Sequence, residues 1–122
     1  MSRSRALIVV ALLVVFVVVV GVVIYANSAN SHTGGQSLSF DVTVSGASRM
    51  APDTLRATAD DTVTINVMSD QDGEVHLHVY DIAFELKRGQ ITSRTFKADK
   101  TCTCLIEWEE TSTPLGNLIV SP

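Results

Sequence analysis

Two imidazoles and two thiols are the side chains of this 122-residue chain best suited to chemistry. His76 and His78 stand in Glu74-Val-His-Leu-His-Val-Tyr-Asp81, a stretch that alternates apolar and polar residues and reads as a β-strand. Side chains alternate faces along a strand, so His76, His78 and Tyr80 are expected on one face and Val75, Leu77 and Val79 on the other. The apolar set has the period of a core face. The imidazoles then point to solvent, to a hydrogen-bonding partner or into a site. The third histidine, His32, belongs to a polar linker.

Cys102 and Cys104 are the second pair. Parity along their strand groups Cys102, Cys104, Ile106 and Trp108 on one face and Leu105, Glu107 and Glu109 on the other. Three readings stand side by side. Cys104 packs as a small buried hydrophobe. Alternatively the two thiols form a disulfide, within the chain or between chains, as an oxidising compartment favours. On a fully extended strand the two Cα atoms lie roughly 7 Å apart, too far for an unstrained bridge, so a disulfide here requires a bend. The sharpest reading joins His76, His78, Cys102 and Cys104 in one soft-metal site for copper or zinc, since imidazole and thiolate suit Cu(I) and Zn(II).

Other candidates point to blander roles. Met50 and Met68 suit core or loop packing better than copper ligation. The acids of Asp60-Asp61, Asp70-Asp72-Glu74 and Glu107-Glu109-Glu110 would attract a hard cation such as iron or calcium, but no calcium-loop spacing occurs, so they read as a solvated surface. No nucleophile elbow, glycine-rich phosphate loop or paired catalytic carboxylates stand out. The chain is expected not to be an enzyme.

The elements that must hold these residues begin after an unusual N-terminus. Residues 1–5 carry Arg3 and Arg5, and residues 6–26 contain no charge and consist almost wholly of Val, Leu, Ile and Ala. Roughly 20 apolar residues span a bilayer as a helix, which alone satisfies its own backbone hydrogen bonds there. The segment reads as a membrane-spanning signal anchor. Ala26-Asn27-Ser28 also offers a small-x-small cleavage site, which leaves removal as a signal peptide open. The two arginines precede the apolar run and no base follows it until Arg49, so the N-terminus is expected in the cytoplasm and the rest in the periplasm or outside the cell. Residues 27–36 are small and polar, a flexible tether.

Residues 37–122 carry all thirteen acids and seven of the nine bases, a net charge of −6. Such a domain has no footprint for nucleic acid. Alternating residues at Leu38 to Val44, Leu55 to Ala59, Val63 to Val67, Ile91 to Phe96, Cys104 to Glu109 and Gly116 to Val120 mark short strands between turns. With no amphipathic helix of useful length, the pattern predicts an all-β, antiparallel Greek-key β-sandwich over residues 37–122.

The order of these pieces resembles a cupredoxin, in particular the small membrane-anchored bacterial cupredoxin-like domains of the EfeO type, named for a periplasmic iron-uptake protein. The likeness rests on Met50-Ala-Pro-Asp-Thr-Leu55, Glu74-Val-His-Leu-His-Val-Tyr-Asp81, Phe96-Lys-Ala-Asp99 and Leu115-Gly-Asn-Leu-Ile-Val-Ser-Pro122. In copper-bearing members, one histidine comes from the strand matching the second segment. A cysteine, a second histidine and a methionine come from the connection between the last two strands. The resemblance implies His78 as the first ligand and sets Trp108 where the cysteine belongs, Ser112 or Thr113 where the second histidine belongs, and Pro114 or Leu115 where the methionine belongs. It therefore implies a degenerate type 1 copper site, since such a site needs a thiolate, two imidazoles and a weak axial ligand. The expected protein is a membrane-anchored extracytoplasmic binding or accessory module, in metal handling or in contact with an envelope protein partner. Two alternatives accompany it: an active copper or zinc binder using His76 or His78 with Cys102 and Cys104, and an assembly subunit pairing through an open sheet edge.

Overall fold

A computed structural model describes residues 35–122, and the expected basic cap, membrane helix and nearly all of the tether lie outside the described residues. Strands form where apolar residues recur at every second position. They are β1 (Ser37–Ser45), β2 (Arg49–Ala51), β3 (Thr54–Thr58), β4 (Thr62–Ser69), β5 (Gly73–Leu77), β6 (Ile82–Leu86), β7 (Ile91–Lys97), β8 (Cys102–Trp108) and β9 (Thr113–Ser121). A single 3₁₀ turn, Glu109–Thr111, separates the last two. One sheet has the order β2-β1-β4-β7 and the other β3-β9-β8-β5-β6.

The sandwich is as expected in its layers but not wholly antiparallel. β1 runs parallel to β4, and β3 parallel to β9. After β1 and β2 the chain crosses to the opposite sheet for β3 and returns with β4 in the direction of β1. Two-residue alternation carries no record of strand direction, so sequence pattern could not distinguish the two pairings.

Val42, Val44, Val63, Ile65 and Val67 of the first sheet face Leu55, Val75, Leu77, Phe84, Ile106, Trp108, Leu118 and Val120 of the second, all buried. Each such side chain contributes about 1.5–3 kcal/mol on burial. Met50 belongs to this core. It lies over Gly116, where a Cβ would run into its Cε and into the Asp53 carbonyl oxygen. Met68 is exposed on the outer face of the first sheet, so neither Met50 nor Met68 shares a face with His76 of β5.

Asp61 departs from the expectation of a solvated acid, because it is fully buried. Its carboxylate accepts from the backbone N–H of Thr58 at 2.8 Å and of Gln36 at 3.0 Å. Its carbonyl accepts from Ala98 N–H at 2.8 Å. One acid thus ties together the entry of β1, the turn between β3 and β4, and the end of β7.

Candidate metal centre

β5 lies between β8 and β6 and buries Val75 and Leu77 beneath it, which turns His76 to the outer face of the second sheet. Register sets His76 opposite Glu107 of β8 and opposite Ala83 of β6. Directly opposed residues on antiparallel strands hold their Cβ atoms roughly 5 Å apart, so His76 and Glu107 meet on that face. β5 ends at Leu77, although the alternation of its sequence continues. His78 N–H donates to Leu105 O at 2.9 Å, and the chain then turns, with Val79 at φ 73° and Asp81 at φ 53°.

Left-handed backbone is rare for a β-branched residue. It carries Val79 out to 56% exposure, where a core position was expected. Tyr80 leaves the histidine face too. Its ring packs on Phe96 at 5.0 Å between centroids and its hydroxyl donates to Lys100 O at 2.6 Å. The turn brings Asp81 back onto His76, whose Nε2 lies 2.7 Å from Asp81 Oδ1.

His78 Nε2 lies 2.7 Å from Glu107 Oε1, and His76 Nδ1 lies 3.8 Å from Glu109 Oε2. The two imidazoles meet edge to face with centroids 4.7 Å apart. Donor atoms of His76, His78 and Glu107 all fall within 4.8 Å of one another. The side chains of His76, His78 and Glu107 are 21%, 40% and 14% exposed, so the group is shallow but not fully solvated. Three carboxylates, from Asp81, Glu107 and Glu109, thus surround two imidazoles. Glu107 entered the sequence reading only as one of a run of surface acids. Parity placed it opposite Trp108, but its meeting with His76 depends on a pairing across distant parts of the chain.

Cys102 and Cys104 do not join the group. They are bonded to each other as a disulfide, with Cα atoms 5.4 Å apart, shorter than an extended strand allows. Cys104 is buried on the inner face of β8, whereas Glu107 sits on the outer face. The mixed set of His76, His78, Cys102 and Cys104 is therefore not brought together, because a disulfide offers no thiolate and its buried sulfur faces away from the imidazoles.

The position where the resemblance sets a copper cysteine has another occupant. Trp108 is buried and pairs with Val75, not with His78, which lies three residues further along the chain, just past the end of β5. The connection that follows, Glu109–Thr111 with Ser112 and Thr113, contains carboxylates and hydroxyls and no imidazole, thiol or thioether. These residues do not fit a type 1 copper ion, which needs soft donors at that point.

Tyr80 holds the histidine turn to the turn before β8. Its hydroxyl also accepts from Lys100 N–H at 3.0 Å, and Lys100 Nζ lies 4.9 Å above its ring. Burial pushes the Tyr80 phenol above its ordinary value of 10.0, the Lys100 backbone bond offsets part of this, and the Asp99 carboxylate adds to it. A phenol whose folded pKa is raised stabilises the fold below the unfolded value, and that contribution is lost as pH rises through the folded value. Ultraviolet titration of the phenolate should therefore show one tyrosine ionising late. The late step should vanish in Tyr80→Phe, and stability should fall with its onset. Ionisation of Tyr80 with the pH profile of free tyrosine would contradict this.

No protein-family profile matches the chain, and none of the curated proteins resembles it in sequence. Solved structures do resemble it in fold. A copper-binding protein determined by NMR in its apo form superposes with a TM-score of 0.58 at 12% identity, over 74% of this chain and 92% of that one. A chain from the cryo-EM structure of a heme–copper terminal oxidase dimer gives 0.55 at 12% identity, over 97% of this chain and 99% of that one. The multicopper oxidase mgLAC gives 0.53 at 17% identity over 70% of this chain, which spans 39% of the oxidase. At such identities the likeness speaks for the fold. The domain has a cupredoxin-like β-sandwich fold, and its outer face brings donor atoms of two histidines and a glutamate together.

Proposed function

We propose that the chain is a single-pass membrane protein of the bacterial EfeO-type cupredoxin-like kind. On this reading residues 1–5 are cytoplasmic, residues 6–26 anchor the chain, residues 27–36 form a tether, and residues 37–122 form an extracytoplasmic accessory module. The module serves metal handling or contact with an envelope partner. It is neither an enzyme nor an electron carrier. The observation that carries this is the state of the soft donors: both cysteines of the chain are tied to each other, and the β8–β9 connection offers none.

Further support comes from three features. The uncharged run behind Arg3 and Arg5 obeys the positive-inside rule. A disulfide suits an oxidising compartment. Fold similarity over nearly the full length of a chain in the structure of a heme–copper terminal oxidase dimer agrees with a module that works within a larger assembly.

The test is copper loading of the whole chain in detergent, followed by optical and EPR spectra. No intense thiolate-to-copper charge-transfer band is expected, and its appearance would overturn the reading. Protease added to cells whose outer barrier has been opened but whose cytoplasmic membrane is intact should degrade the domain, and protection would contradict its placement.

A further inference from the structure

We propose that His76, His78 and Glu107 form a binding site for one divalent transition-metal ion of the Zn(II) or Cu(II) class on the outer face of the β8-β5-β6 layer. This goes beyond the accessory role above: the site shares only His78 with the type 1 position, whose other places lie at Trp108 and the β8–β9 connection, and takes its remaining ligands, His76 and Glu107, from the outer face. It does not depend on how the domain is tethered.

Three features of the geometry lead there. The first is the donor set: two neutral imidazoles and a carboxylate are borderline ligands that suit Zn(II) and Cu(II), and three protein ligands leave a position open. The second is spacing. Donors on a tetrahedral ion with bonds of about 2.0–2.1 Å stand roughly 3.3 Å apart. The donors here are all within 4.8 Å, and the His78 Nε2 to Glu107 Oε1 distance of 2.7 Å needs only a small opening to admit an ion. Rotation about side-chain torsions supplies such changes without moving the strands.

The third feature is outer support. Asp81 Oδ1 lies 2.7 Å from His76 Nε2; an ionised carboxylate there accepts from Nε2–H of a neutral ring and leaves Nδ1 as the ligand atom. A carboxylate behind a ligating histidine orients the ring and raises its basicity. Asp81 reaches this place because the turn after β5 takes it through φ 53°, directly after Val79 at φ 73°. The unusual turn thus has a consequence at the site. Glu109 Oε2, 3.8 Å from His76 Nδ1, is near enough to serve as a further oxygen ligand.

The experiment uses the whole chain in detergent, stripped with a chelator and titrated calorimetrically with Zn(II) and, separately, Cu(II). One equivalent should bind, and thermal unfolding should move upward with metal concentration, as ligand linkage requires. Glu107→Gln and His78→Gln should each abolish binding or weaken it severely. Asp81→Asn should weaken it by about 10–100-fold, the usual effect of losing a supporting carboxylate. His32→Gln, which alters the histidine of the linker, should leave stoichiometry and affinity unchanged. Circular dichroism establishes that each variant is folded, and Glu107→Gln, nearly isosteric, serves if a histidine variant is not. In the copper arm, EPR should show nitrogen coupling from two imidazoles.

Binding of only one of the two ions supports the site and identifies its occupant. Failure of both ions to bind, or binding unaffected by both Glu107→Gln and His78→Gln, would overturn the proposal. An intense thiolate band would instead count against the degenerate type 1 reading, so the two failures are distinguishable.

Discussion

Replacing Asp61 with leucine is expected to lower the stability of the domain by about 3–5 kcal/mol. The carboxylate accepts from two backbone N–H groups, at Thr58 and Gln36, within a site closed to solvent. A hydrogen bond to a charged group contributes about 1.5–3 kcal/mol, and a buried donor left without a partner costs about 1–3 kcal/mol. Leucine has nearly the right volume but answers neither N–H. A domain of this size has about 5–15 kcal/mol in total, so the variant should be close to unfolding at ambient temperature. Asp61→Asn keeps one acceptor oxygen and should lose roughly half as much. Urea unfolding followed by the fluorescence of Trp108 measures both. A loss below about 1 kcal/mol for Asp61→Leu would show that the three segments meeting at Asp61 are held by their strand pairing alone.

Asp61 also shows where sequence reading stops. Asp60-Asp61 has the composition of a solvated turn, and nothing in its neighbours distinguishes a carboxylate that faces water from one that answers buried amides. The strands themselves were legible, because Leu38 to Val44 and Val63 to Val67 alternate with a period of two and one face must be apolar. Their pairing was not, since parallel β1/β4 and antiparallel β4/β7 use the same alternation.

The candidate site was legible in half. Alternation placed His76 and His78 on a common face away from Val75 and Leu77, and parity placed Glu107 away from Trp108. What brings these together is the register of β5 on β8, a long-range property set by core packing. The end of β5 was hidden as well, because Val79 continues the apolar pattern and yet sits in a turn. At Cys102 and Cys104, ideal strand geometry argued against a bridge unless the chain bent. The observed Cα separation of 5.4 Å supplies that contraction.

The second large effect belongs to Trp108, the residue standing where the resemblance sets a copper-binding cysteine. Its indole is 3% exposed, and Gly73 at the start of β5 lies flat against it, so that a Cβ on residue 73 would penetrate the ring. Trp108→Ala is expected to cost about 3–5 kcal/mol, as large aromatic truncations in cores do. Gly73→Ala alone should cost about 1–3 kcal/mol or more by overpacking, since the ring is pinned between the two sheets. The pair should be strongly non-additive. With the indole removed, the methyl group of residue 73 enters the space left behind, so the double variant should be more stable than the two single losses added together, by about 0.5–3 kcal/mol. Urea unfolding followed by far-ultraviolet circular dichroism gives all three values. Simple additivity would mean that Gly73 is required for some reason other than this contact. If the cycle behaves as expected, Trp108→Cys cannot by itself create a type 1 copper site: it would remove a buried core side chain and still leave Glu109–Thr111 without an imidazole. The indole at residue 108 is then a core requirement of this fold, and among the described residues the His76, His78 and Glu107 group of the outer face is the one whose donors converge for a metal ion.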